Sequence, residues 1–172
     1  MPPLPLPSPP LTNGGVSLRA WLVEDAPALE AACADPDIPR FTTVPATYST
    51  SAAREWVARQ DDNRESGESI VLAITERGEE CPLGTVGLGR LLDSAGGAEL
   101  GYWLMPEARG RGLAARAARL LVDWGFAELR LRRLELATRP ENRASQRVAV
   151  RLGFRREACA ASTASTRASA WT

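Results

Sequence analysis

Two hydrophobic periodicities alternate along the chain. "VSLRAW" at residues 16–21 alternates apolar and polar positions as a strand does. "EDAPALEAACADP" then carries acidic starting residues, an early Pro27 and a closing Pro36, the signals of a short helix. A second helix is predicted over 49–62, "STSAAREWVARQDD", where a Ser/Thr cap precedes helical spacing from Trp56 to Gln60. Two β-branched apolar runs follow, "SIVLAITE" (69–76) and "LGTVGLGRLLD" (83–93), and the intervening "RGEECP" predicts a hairpin. "AELGYWLM" (98–105) is a third strand in series. From Leu113 the apolar positions fall at 113, 117, 120, 121 and 124, with Arg116, Arg119 and Asp123 opposite, an amphipathic helix. "RRLELAT" (132–138) returns to strand, and "ASQRVAVRLGF" (144–154) is a short helix closed at Gly153. The order strand, two helices, three strands, helix, strand, helix predicts a mixed α/β sheet flanked by helices, without internal repeats.

The two ends break the pattern. The proline-rich first ten residues predict a loose polyproline-like tail, so residues 1–15 are expected to be disordered and the domain to start at 16. Residues 158–170 are almost wholly Ala, Ser and Thr, with one Cys and one Arg, and offer no alternating apolar face. The domain is therefore expected to end at 156, with an atypical tail over 157–172 that is poorly ordered from residue 160. Such a tail would leave a sheet edge that pairing or a homodimer would cover. A truncated or frame-shifted C-terminus would produce this abrupt change of composition.

Composition narrows the chemistry. A 172-residue chain that is 44% hydrophobic supports one core and one domain. No run reaches the roughly 18 apolar residues of a membrane span, and the N-terminus lacks the basic region and unbroken apolar stretch of a signal peptide. A cytoplasmic location without membrane contact is expected. Cys33, Cys81 and Cys159 lie far apart, which argues against a disulfide framework and against zinc, and no metal is expected. The absence of histidine excludes Ser-His-Asp triads, Cys-His dyads and histidine-ligated metals. All 21 basic residues are arginine. The zero net charge hides a division: residues 1–108 hold 7 Arg against 16 Asp plus Glu, and residues 109–156 hold 13 Arg against 4. Fields of opposite sign on two halves suit an anionic and a cationic ligand.

"LMPEARGRGLAARAARLLVDWGF" (104–126) lies where these readings meet. Its glycines follow the third strand of the series and open the next helix, where free backbone N–H groups and the helix dipole bind phosphate. Gly110 and Gly112 allow a tight turn and close approach of an anion. "GRGLAA" also fits the G-x-G-x-x-A dinucleotide pattern, with Glu135 near the ribose-binding distance, but that fold normally opens a domain and only 62 residues follow Gly110. A Walker A loop is unsupported, since Gly112 is followed by Leu113 and Ala114 and not by Lys and Ser/Thr. No aromatic residue interleaves the arginines between 109 and 119, so nucleic-acid binding is not expected.

Arg109-Gly110-Arg111-Gly112-Leu113-Ala114 resembles the [QR]-x-x-G-x-[GA] acyl-CoA pyrophosphate loop of the GNAT N-acetyltransferase superfamily. "RPENRASQRVAVRLGF" (139–154) resembles the N-x-x-S…GF segment of its RimJ/RimL-type branch, ribosomal-protein and related amine acetyltransferases. The resemblance runs from Val16 to Phe154 and implies a mostly antiparallel GNAT-like sheet that binds acetyl-CoA as acyl donor and acetylates an amine. It implies that backbone N–H groups of Arg111 to Ala114 hold the pyrophosphate, with arginine side chains at 109, 111 and 116 reaching the adenosine phosphates. It implies further that a bulged, splayed strand frees the amides of Leu104 and Met105 for pantetheine and the thioester carbonyl. Asn142 would bond the pantetheine amides and Ser145 would lie near the sulfur. Many relatives carry a tyrosine seven residues after that asparagine as proton donor; here it is Ala149, which leaves the acid unassigned.

Acetyl transfer needs a fixed donor, a neutral attacking amine and a stabilised tetrahedral oxygen. Glu99 is the candidate general base, through water, because it alternates to the strand face opposite Leu100, Tyr102 and Leu104. Its alternative role is a salt bridge to an arginine. Ser145 has two readings, catalytic group or helix cap. Trp103, Tyr102 and Trp56 read as core in preference to acceptor contacts. The acidic residues Glu24, Asp25, Asp35 and Asp37 suit a cationic amine or, equally, solvated loops. Two functions follow: an acetyl-CoA-dependent N-acetyltransferase acting on a protein N-terminus or a small amine such as a polyamine or aminoglycoside, or a CoA-binding or ribosome-associated protein without turnover.

Overall fold

The computed structural model describes residues 2–91, 96–161 and 167–171, with 157–161 and 167–171 described through their backbone. The elements are β1 (Leu11–Asn13), β2 (Val16–Ala20), α1 (Ala26–Cys33), α2 (Asp37–Phe41), α3 (Thr50–Glu65), β3 (Ile70–Glu76), β4 (Gly84–Gly89), β5 (Gly97–Leu104), α4 (Leu113–Glu128), β6 (Arg133–Thr138), α5 (Arg143–Leu152), β7 (Arg156–Ala161) and β8 (Arg167–Trp171). The strands form one sheet in the order β1-β2-β3-β4-β5-β6-β8-β7. Only the β5–β6 pair is parallel; the others are antiparallel.

Burial explains the sequence pattern. β3 and β4 are buried on both faces, which is why their apolar runs are nearly continuous. On one face α4 supplies Leu113, Ala117, Leu121 and Gly125, and Gly125 lies close to Leu88 of β4. On the other face Trp103 of β5 packs beside Trp21, which meets Trp56 of α3 edge-on at 5.5 Å between ring centroids. The Trp21 indole N–H donates to Thr85 Oγ1 at 3.2 Å, so its buried polar atom is satisfied. Ser49 caps α3 by accepting the Ala52 N–H at 3.2 Å. Between β2 and α1, Asp25 receives both guanidinium nitrogens of Arg19, at 2.7 and 2.9 Å, and the Leu22 N–H at 2.8 Å. That bidentate pair fixes the turn.

The feature that positions the site is a divergence of strands. β5 and β6 pair only through residues 97–99 and 133–135. Beyond that, residues 136–138 of β6 pair with β8, while residues 100–104 of β5 keep only β4 as partner. The sheet opens there as a V. The β4–β5 register runs from Gly84/Leu104 to Gly89/Glu99 without a shift, so the expected splay is present and the expected bulge is absent.

Both ends depart from expectation. The N-terminal segment is not loose: Leu4 is buried, its N–H donates to the Arg64 carbonyl at 2.9 Å, and Arg64 returns a hydrogen bond to the Leu4 carbonyl at 3.0 Å. Residues 11–13 then pair with β2. One buried leucine and a few backbone bonds suffice, because proline lowers the chain entropy lost on docking. At the other end β7 and β8 pair with each other, in a segment whose composition predicts no strand pair. A ladder draws on backbone N–H and C=O groups, and the free edge of β6 supplies a template that side-chain composition does not reveal. Residues 162–166 and 172, which the expectation of poor order from residue 160 covered, lie outside the described residues, as do positions 92 and 93 of the predicted strand 83–93. The helix α2 was not foreseen; Pro39 within "DIPRF" masked it.

Gly84 has φ of 157°, and a β-carbon there would sit 2.2 Å from the Trp103 carbonyl oxygen. Gly84→Ala is therefore expected to destabilise the protein by about 1–3 kcal/mol, as steric insertion into a packed core does, measured as a lower urea midpoint with an unchanged m-value.

Candidate active site

The V opens into a cleft of about 1180 Å³ that runs between both halves of the sheet. One arm is lined by Gly110, Gly112, Leu113, Ala114, Asn142 and Ser145, and the other by Glu99, Trp103, Trp56, Tyr48, Phe41 and Asp37. Glu99, Leu104, Arg109, Gly110, Gly112, Leu113, Ala114, Asn142 and Ser145 are thus brought to one cavity, and Met105 and Arg111 do not line it.

Its first arm is built at the start of α4. Gly110 and Gly112 have φ of 75° and 74°, and a β-carbon at either would project into open space. Both glycines line the cleft. Among the described residues, no backbone carbonyl accepts the N–H of Gly110, Arg111 or Gly112, and the first helical bond at this end runs from the Arg116 N–H to the Gly112 carbonyl at 3.2 Å. A row of unpaired donors at the positive end of a 16-residue helix is an anion cradle.

The edge of β5 supplies further donors, with one correction. The Met105 N–H is taken by the Leu83 carbonyl at 2.8 Å, so it is not free for a ligand. Because an antiparallel ladder alternates, the Leu104 N–H, one residue back, points away from β4 and into the V. The Tyr102 N–H points the same way by the same alternation. Of the two amides expected, Leu104 is available and Met105 is not.

The arginine side chains are distributed differently from expectation. Arg109 donates to Asp35 at 2.8 and 3.2 Å and to the Leu104 carbonyl at 3.1 Å. Arg111 pairs with Glu76, and Arg116 bonds the carbonyls of Gly14 and Arg111. All three brace the loop against the protein. The unpaired positive charge on the cleft wall comes from Arg59 at the acceptor arm and from Arg139, Arg143, Arg147 and Arg151 at and along α5, five arginines without a carboxylate partner among the described residues. The sequence signal of the α5 arginines is the i, i+4, i+8 spacing within "RASQRVAVR".

Asn142, and not Ser145, caps α5: its Oδ1 accepts the Ser145 N–H at 3.0 Å. The Asn142 side-chain amide N–H groups have no protein acceptor among the described residues. Ser145 is buried at the cleft wall, and its Oγ lies 2.9 Å from the Tyr102 hydroxyl. Tyr102 is core by its ring and site by its oxygen. Burial pushes its pKa up to about 12, with the Ser145 hydrogen bond acting in the opposite sense. Glu99 lines the cleft and bonds Arg90 at 3.1 Å. Arg90 is 82% exposed, so the pair is a weak, screened one. Asp25 and Asp35 are consumed by Arg19 and Arg109. Of the four acidic residues considered for a cationic acceptor, only Asp37 lines the cleft, 3.7 Å from Arg109.

The acetyltransferase (GNAT) domain family matches residues 16–155. An uncharacterized N-acetyltransferase, p20 of Bacillus licheniformis, is 30% identical over 142 residues, which is 83% of this chain and 80% of that protein. The chain belongs to the GNAT acetyltransferase family. It is an acetyl-CoA-dependent N-acetyltransferase with acetyl-CoA as acyl donor. The ribosomal-protein-serine acetyltransferase of Escherichia coli is 28% identical over 114 residues, 61% of this chain and 63% of that protein, consistent with the RimJ/RimL-type branch. The fold of the apo RimL ribosomal L7/L12 α-N-protein acetyltransferase superposes with a TM-score of 0.82 at 20% identity, covering 98% of this chain and 97% of that one. The mostly antiparallel sheet flanked by helices is the GNAT fold. Among the described residues no helix is long and apolar enough to cross a membrane.

Two outcomes test this GNAT site. Gly112→Val should weaken acetyl-CoA binding at least tenfold in calorimetry, because the valine side chain fills the cradle and resists the left-handed backbone; unchanged affinity in a folded variant would remove the cradle assignment. Hydrogen bonding to Arg109 holds the Asp35 carboxyl below its ordinary pKa. A depressed carboxyl stabilises above its unfolded value, about 3.9, and loses that contribution as pH falls through the lower folded value. Asp35→Asn should cost about 1 kcal/mol at neutral pH, with the gap to wild type closing in the acid range when unfolding is followed against pH.

Proposed function

We propose that this enzyme transfers acetyl from acetyl-CoA to a primary amine by direct attack in a ternary complex, and that the N-terminal amine of a protein suits the cleft better than a polyamine. The observation that carries the reading is the single continuous cleft, with the anion cradle at one arm and Glu99 with the aromatic wall at the other. Both substrates fit at once, and among the described residues no cysteine lines the space between them, which favours direct attack over a covalent acetyl-enzyme on a thiol. Of the described cleft carboxylates Glu99, Asp37 and Glu141, the first two each face an arginine, which leaves one unpaired acid and no cluster for a polycation. Trp56, Trp103, Tyr48 and Phe41 offer a wall for the first side chains of a peptide. The name of the Escherichia coli relative, a ribosomal-protein-serine acetyltransferase, is in keeping with that acceptor.

In this reading the N–H groups of Gly110 to Ala114 hold the pyrophosphate. Arg139, Arg143, Arg147 and Arg151 supply countercharge to the adenosine phosphates. The Leu104 N–H polarises the thioester carbonyl, and the Asn142 side chain bonds the pantetheine amides. Glu99 accepts the amine proton through water, and Ser145 lies by the sulfur.

The decisive experiment incubates purified protein with acetyl-CoA and a panel of peptide N-termini, polyamines and aminoglycosides, follows free thiol release, and identifies products by mass spectrometry. Acetyl-CoA binding without thiol release from any amine would leave the non-turnover alternative standing. Glu99→Gln is expected to lower turnover roughly 10²-fold, the scale of a general base, with acetyl-CoA affinity nearly intact. Wild-type turnover in that variant across a pH series would return Glu99 to its salt bridge with Arg90.

A further inference from the structure

We propose that Tyr102 is a positioning residue for acetyl transfer: its hydroxyl holds that of Ser145 as a hydrogen-bond donor aimed at the sulfur of the departing thiolate. The inference rests on acetyl-CoA occupying the cleft with its sulfur beside Ser145, as argued above.

Three observations lead to it. Tyr102 projects from the open stretch of β5 onto the α4 and α5 side, where its ring packs against Leu136 and Ala149. Ala149 is fully buried one turn beyond Ser145, and its small side chain leaves room for a ring arriving from β5. Phenylalanine would serve that packing equally well, so the hydroxyl needs another explanation. Its described partners are the Ser145 Oγ, at 2.9 Å, and the Ser145 carbonyl, at 3.4 Å.

Either hydroxyl can donate across the 2.9 Å contact. With its pKa raised by burial, the phenol keeps its proton throughout the neutral range, and in the proposed arrangement it donates that proton to the nearer oxygen, Ser145 Oγ. The Ser145 N–H is already held by Asn142, and apart from the Tyr102 oxygen no described residue is placed to accept the Ser145 Oγ–H. That proton is left to face the cleft that Ser145 lines. A hydroxyl that accepts from one donor becomes a stronger donor to the next group in the chain.

During transfer a C–N bond forms and the C–S bond breaks, its electron pair passing to sulfur. The amine loses one proton to Glu99 or water, and sulfur gains one from water. Tyr102 and Ser145 are both neutral before and after. They lower the energy of the thiolate while it carries charge, which is a stabilisation present in the transition state and absent from the bound thioester.

The test needs no acceptor. CoA labelled with ¹³C at the carbon bonded to sulfur is bound to wild type, Tyr102→Phe, Ser145→Ala and the double variant, and its thiol is titrated by NMR. Donors that favour the thiolate lower the bound thiol pKa. The thiol should therefore titrate lowest in wild type and about equally higher in all three variants, because Tyr102 acts only through Ser145. In steady state, Tyr102→Phe should lower kcat roughly tenfold, the scale of one hydrogen bond, with the acetyl-CoA KM within about twofold. Identical titrations in wild type and variants, or additive effects in the double variant, would overturn the proposal. Failure of wild type to bind CoA would remove the functional reading and the proposal together. Binding without a change in thiol titration removes the proposal alone. Ser145→Ala and the thiol titration keep the test informative if Tyr102→Phe proves unstable.

Discussion

The site depends on the loss of pairing between β5 and β6 after Glu99 and Glu135. A sheet this buried ordinarily satisfies every backbone N–H within its ladder. Here the far side of residues 100–104 has no strand opposite it, so donors that would close a sheet are turned toward a ligand. The same divergence opens the cavity, brings the α4 start and the α5 start to opposite walls, and lets Tyr102 reach across to Ser145. The regular β4–β5 register makes this possible without a bulge, because alternation along an unbroken ladder sends the Leu104 N–H outward while the Met105 N–H bonds inward.

The parts legible in the sequence were those with strong local causes. The nine predicted strands and helices from β2 to α5 were located within a few residues, and the glycines at 110 and 112 identified the cradle because left-handed backbone has few other solutions. What failed depended on partners distant in sequence. Leu4 finds its place through Arg64, and Met105 loses its amide to Leu83. The roles of Arg109, Arg111 and Arg116 were set by Asp35, Glu76 and Gly14, each at least 35 residues away. Tyr102 was misjudged for a related reason: burial of a ring says nothing about where its hydroxyl ends. β7 and β8 could not be read because their composition carries no alternating pattern, while β6 offers an edge.

The division of charge also has a structural meaning that composition alone did not reveal. Arginines in the loop spend their charge on ion pairs that hold α1, α2 and β3 against the start of α4. Those of α5 have no such duty. Precision of the cradle and attraction of an anion are thus supplied by separate groups of arginines, and either can change without direct loss of the other.

The α5 wall carries one further consequence. Arg143, Arg147 and Arg151 stand one helical turn apart with like charge, and side chains so placed repel each other. An empty cleft therefore stores unfavourable electrostatic energy that dissolved salt relieves by screening over roughly 10 Å at 0.1 M ionic strength. Any polyanion lodged there is a counterion to the fold as well as a reactant. Thermal stability of the free protein should accordingly respond to the ionic composition of its surroundings, and much less so once the cleft is filled.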